Sequence, residues 1–89
     1  RCTSIVQEIM KVMVASHLWR EGFRRISFEK PFQLSDGSTI YVDVYEGDQK
    51  LCVECEFQPT LNDVIARASR IRQAEPEAKY VLAIHDTKG

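Results

Sequence analysis

The chain has 89 residues, of which 44 % are hydrophobic and 28 % charged, and a formal net charge of -1. These proportions exclude a disordered, collagen-like or coiled-coil chain, and no apolar run approaches the roughly 20 residues that a membrane span needs. The balance of 12 Lys and Arg against 13 Asp and Glu excludes a bulk-basic nucleic-acid binder, although not a local basic patch.

Residues 3–21 carry a helical pattern, with Ile5, Ile9, Val12, Met13 and Leu18 as the expected buried stripe. Thr3 or Ser4 suits the cap, and Gly22 sits where helices commonly end. Residues 24–34 read as a strand with Ile26, Phe28 and Phe32 on one side; Pro31 cannot donate to a ladder and marks an edge. Turn signals at Asp36-Gly37-Ser38 and Gly47-Asp48-Gln49 separate it from strands at 39–45 and 50–58, an antiparallel meander. Thr60 and Asp63 form a loose capping box for a helix at 61–74, with Leu61, Val64, Ile65, Ala68 and Ile71 inward. The apolar run at 79–85 suits a last strand buried on both faces. The order is α-β-β-β-α-β, without repeat or linker, as one domain. Arg1 in place of Met suggests a domain excised from a longer chain.

Three carboxylates fall inside the expected sheet. Alternation sends Cys52, Glu54, Glu56 and Gln58 to one face of the third strand and Leu51, Val53, Cys55 and Phe57 to the other. Asp43 sits among Ile40, Tyr41, Val42, Val44 and Tyr45, although Asp is disfavoured in strand interiors. One explanation is a solvated sheet face; against it, Tyr41, Tyr45 and Cys52 share the acid-bearing face if alternation holds. The other is a hard divalent cation, whose charge offsets the repulsion between clustered carboxylates. Cys52 and Cys55 have C-x-x-C spacing but face opposite ways on a strand, which argues against zinc. His17 and His85 lie in separate elements and read as core or boundary residues. Three cysteines cannot close a disulfide framework, so free thiols and an intracellular, cytoplasmic setting are expected.

Asp43, followed by Glu54-Cys55-Glu56 after a helix bearing Glu8, resembles the PD-(D/E)XK nuclease superfamily in its E-x-E variant. The resemblance spans essentially the whole chain and implies a restriction-endonuclease-like α/β core, a central mixed sheet flanked by helices. It further implies that Asp43 and Glu54 bind Mg²⁺ or Mn²⁺, with the Cys55 carbonyl and Glu8 as further ligands. Glu29 is the second choice of extra acid. Glu56 replaces the usual Lys and would orient or deprotonate water, or bind a second ion, with Gln58 hydrogen-bonding the phosphate or the water. The implied activity is metal-dependent hydrolysis of phosphodiester bonds in DNA, with RNA kept open. The alternative is a nuclease scaffold without chemistry, used for nucleic-acid binding or subunit assembly.

Arg67, Arg70 and Arg72 suit bidentate phosphate contacts, and Arg24 and Arg25 form a second basic pair, with Lys11, Arg20 and Lys30 as further cations along a phosphate backbone. A chain this short leaves apolar surface uncovered, so a homodimer is expected and a membrane partner is not.

Overall fold

The computed structural model describes residues 4–85. Ser4 opens α1 (Ile5–Arg20): its hydroxyl accepts the Gln7 N–H at 3.1 Å, and the Gln7 side chain reaches back to the Ser4 N–H. This reciprocal pair satisfies two backbone donors that a helix start leaves bare. Thr3, the other candidate cap, lies outside the described residues. Gly22, at φ 100°, ends the helix in a conformation that a Cβ would oppose.

Four strands follow α1: β1 (Ile26–Gln33), β2 (Thr39–Glu46), β3 (Leu51–Glu56) and β4 (Lys79–Ile84), with α2 (Leu61–Ala74) between β3 and β4. The sheet order is β1-β2-β3-β4, antiparallel between β1 and β2 and between β2 and β3, and parallel between β3 and β4. The expected meander and element order are present, in a mixed α/β sheet. Pro31 lies on the edge strand β1, where its missing N–H costs no ladder bond to a second neighbour. Asp36 closes the first turn by accepting the Ser38 N–H at 2.9 Å and its hydroxyl at 2.6 Å.

The helices cover opposite faces. Cys52, Ile40 and Val42 pack with Ile71 and Ala74 of α2, whereas Val53 and Val44 pack with Val14 and Leu18 of α1. Neighbours on β3 thus feed separate cores, as strand alternation requires.

Strict alternation fails elsewhere. Val42 and Tyr45 share the α2-side core while Val44 lies on the α1 side, so β2 changes phase at Asp43. In β1, Ile26 packs on the α1 side and Phe32 on the α2 side, although both positions are even. The change there falls at Glu29, which adopts φ 53° and faces Asp43 across an interruption between the Phe28–Val44 and Lys30–Val42 pairs. Both strands kink at one level, so their register survives. The expected single face for Ile26, Phe28 and Phe32, and for Tyr41 with Tyr45, does not hold through this point.

The helix faces also differ from expectation. Ile5, Ile9, Val12 and Met13 are exposed, Ile5 by 78 %, and α1 instead turns Gln7, Lys11, Val14 and Leu18 inward. Those positions follow the spacing of one helix face, but two of them are polar. In α2, Ile71 is buried and Val64, Arg67, Ala68 and Ala74 are half-buried, while Leu61 and Ile65 face solvent. β4 is not buried on both faces. It is the second edge strand, with Val81 and Ile84 exposed.

Candidate active site

The β2–β3 ladder runs from Glu46–Leu51 to Val44–Val53 and ends there. Beyond it, two carboxylates replace ladder carbonyls. Asp43 Oδ2 accepts the Cys55 N–H at 2.8 Å, and the Asp43 N–H donates to Glu54 Oε2 at 3.2 Å. Each acid therefore satisfies the backbone of the opposite strand, which is why a kinked, buried position tolerates them. Asp43 is 3 % exposed and Glu54 1 % exposed. The two acids expected to form the centre of the site are thus brought together.

On the α2 side, Arg67 Nε donates to Glu54 Oε1 at 2.5 Å, and Arg67 also donates from Nη2 to the Tyr41 carbonyl. Burial raises the Glu54 carboxyl above its ordinary range, and the Asp43 charge adds to this. The Arg67 hydrogen bond and charge pull the other way. Glu56 and Arg67 line two adjoining hollows. One, of about 250 Å³, adds Gln58, Pro59, Asp63, Val64 and Tyr80; the other, of about 260 Å³, adds Thr39, Ile40 and Tyr41. Glu54 and Glu56 thus both face Arg67, as alternation predicts, while the strand expected to reach Gln58 ends at Glu56, and Gln58 reaches the hollow from beyond it. Burial and the nearby Glu54 push the Tyr80 hydroxyl up to about 12.

On the α1 side, Lys11 is 5 % exposed, and its ammonium lies 3.0 Å from Glu8 and 3.5 Å from Glu29. Burial alone would lower its pKa, but the Glu8 hydrogen bond and the charges of Glu29, Glu8 and Asp43 outweigh that and raise it. Lys11 is thus a buried counter-ion and not the surface cation expected. Glu8 and Glu29 line a hollow of about 380 Å³ with Lys11, Val12 and Phe28, and Lys11 links them electrostatically to Asp43. Gln7 Nε2 donates to the Cys55 carbonyl at 3.1 Å.

The sequence reading missed the roles of Gln7, Lys11 and Tyr80. A signal did exist for the first two: Gln7, Lys11, Val14 and Leu18 share a helical spacing that a purely apolar stripe conceals.

The other basic residues are dispersed. Arg70 reaches the Ser38 hydroxyl at 3.3 Å, and Arg72 is exposed in the last turn of α2. Arg24 stacks over Trp19 at 3.9 Å and donates to the Trp19 and Phe23 carbonyls, while Arg25 pairs with Asp48 at 3.6 Å. That pair lies by the β2–β3 turn, at the opposite end of β3 from Glu56, so it is not assembled with Arg67 and Arg70.

The donor set tests the implied metal. Carboxylates and a backbone carbonyl suit a hard cation in kind. Yet Arg67 and the Asp43 N–H hold the Glu54 oxygens, the Cys55 N–H holds Asp43 Oδ2, and Gln7 holds the Cys55 carbonyl. Among the described residues, no three His, Cys, Asp or Glu side chains converge as a ready cage. The residues fit such an ion only if Arg67 and Gln7 release their acceptors. Cys52 and Cys55 are buried free thiols, pushed up to about 11 and about 12 mainly by burial, which suits neither for thiolate ligation near neutral pH. Among the described residues, no helix is long and apolar enough to cross a membrane. Comparison with protein-family models, curated proteins and solved structures returns no match, so the site stands on its own chemistry.

Proposed function

We propose that the chain is a metal-dependent nuclease of the PD-(D/E)XK type, with a restriction-endonuclease-like core, that hydrolyses phosphodiester bonds in DNA. The observation that carries this reading is the buried Asp43–Glu54 pair at the end of the β2–β3 ladder, joined through Arg67 to a hollow that Glu56 and Gln58 also line. Asp43, Glu54 and the Cys55 carbonyl would hold Mg²⁺ or Mn²⁺, which polarises a phosphate and acidifies bound water. Glu56 accepts a proton from water in the hollow, Gln58 orients the phosphate and Arg67 offsets its charge. The Lys11 ammonium lies 3.5 Å from Glu29, and its charge interacts with that of Asp43. Glu8 shares that lysine as an outer acid on the α1 side.

The satisfied ligand atoms favour a second reading, a scaffold without chemistry that binds nucleic acid or a subunit. An oligonucleotide cleavage assay with Mg²⁺ or Mn²⁺ separates the two. Metal-dependent cleavage that falls by at least about a hundredfold in Asp43→Asn supports the enzyme. Equal cleavage by both proteins, or none together with no calorimetric Mn²⁺ binding, overturns it. The exposed apolar residues of α1 and β4 keep a homodimer as the assembly proposed; light scattering at twice 10.2 kDa would support it, and a mass near 10.2 kDa would overturn it.

A further inference from the structure

Arg67 and Glu54 form an asymmetric pair. The Glu54 side chain is 1 % exposed and that of Arg67 30 %, with 2.5 Å between Nε and Oε1. The guanidinium therefore has a route to water that the carboxylate lacks. If Arg67 leaves unaided, a buried carboxylate remains uncompensated, which is costly. If a cation reaches the same oxygen while Arg67 stays, two positive charges crowd one acceptor. Only a one-for-one exchange avoids both penalties.

The place where Arg67 would go is also defined. It lines both hollows with Glu56, and its Nη2 donates to the carbonyl of Tyr41, which lines the second hollow. Released from Glu54, its planar fork is the cationic group of a space whose lining also carries the Glu56 and Asp63 carboxylates, and a two-oxygen anion there would pair with that fork. We propose that Arg67 is a counter-ion switch: it holds Glu54 until a divalent cation replaces it, and then binds a phosphodiester in the adjoining hollow. Cation and phosphodiester therefore bind cooperatively. This rests on the metal-dependent reading above and adds how the site is kept closed until both ligands are present.

The test uses the native chain, Arg67→Gln and Glu54→Gln. Mg²⁺ is titrated by calorimetry, and the Arg67 Nε–H resonance of the ¹⁵N-labelled native chain is followed in parallel. Expected is a native Nε–H signal that loses its hydrogen-bonded shift in step with Mg²⁺ binding. Arg67→Gln should bind Mg²⁺ at least about fivefold more tightly. A phosphorothioate-linked dinucleotide, which resists hydrolysis, should raise Mg²⁺ affinity about tenfold in the native chain and about threefold or less in Arg67→Gln. Equal Mg²⁺ affinity in the native chain and Arg67→Gln, with an unmoved Nε–H signal, overturns the switch and leaves the metal reading standing. Mg²⁺ binding in none of the three proteins overturns both. Should Arg67→Gln not fold, the native Nε–H titration decides alone: a signal that stays while Mg²⁺ binds refutes the switch.

Discussion

Replacing Lys11 with Met keeps the length of the side chain and removes its charge. The buried ammonium serves Glu8 at 3.0 Å and Glu29 at 3.5 Å, and its field reaches Asp43. Removing one partner from a buried ionic cluster costs about 3–5 kcal/mol. Here the Glu8 side chain is 54 % exposed and can turn to water, so the loss comes mainly from Glu29 and Asp43. That places the expected cost at about 2–4 kcal/mol, a fall in Tm of roughly 10–20 °C for a domain of this size. Circular-dichroism melts against a Lys79→Met control, whose exposed ammonium meets only Gln49, isolate the effect; the control should shift stability by no more than about 0.5 kcal/mol. A Lys11→Met protein as stable as the control would refute the counter-ion argument.

Glu54 gives a pH signature of its own. Burial raises its carboxyl above the ordinary 4.5, so the folded chain holds this proton more tightly than the unfolded chain. The stability linked to that proton is complete below the ordinary value and is lost as pH rises through the folded value. Glu54→Gln should therefore flatten the decline in urea midpoint as pH rises above about 4.5; parallel profiles would contradict this. On α1, Ile9→Gln should cost under about 0.5 kcal/mol and Leu18→Ala about 2–4 kcal/mol in guanidinium melts, because Ile9 faces solvent and Leu18 is buried. The reverse order would restore the apolar stripe as the packed face.

The element order, both turns and the edge position of Pro31 were legible because each follows from local chemistry: turn formers, β-branched runs and a missing donor. The division of β3 between two faces was equally legible, since its alternation is unbroken from Leu51 to Glu56. Asp43 and Glu54 were found as acids in apolar strands. What the pattern concealed has one physical source, the demand of buried charge for partners. Lys11 and Gln7 displace apolar residues from the inner face of α1, so the periodicity points to Ile5, Ile9 and Met13, which remain outside. The phase change at Glu29 and Asp43 leaves no trace in residue type, because a kink matched across two strands preserves the register that turns would reveal. Arg67 was read as a phosphate contact because an ion pair with a residue 13 positions away is a tertiary event.

The mixed anchorage of α1 divides that helix into two regimes. Its C-terminal half is pinned by Val14 and Leu18 against Val44 and Val53, contacts that water cannot replace. Its N-terminal half rests on Gln7 and Lys11, whose bonds water and ions can take over one at a time. Opening of α1 is therefore expected to start at Ser4 and stop near Val14, a sub-global excursion whose cost includes releasing Lys11 but not the packed cores. Each such excursion lifts Lys11 from the acids and bares the Cys55 carbonyl, so the α1 side of the carboxylate cluster is reached by fraying of one half-helix while both cores stay closed.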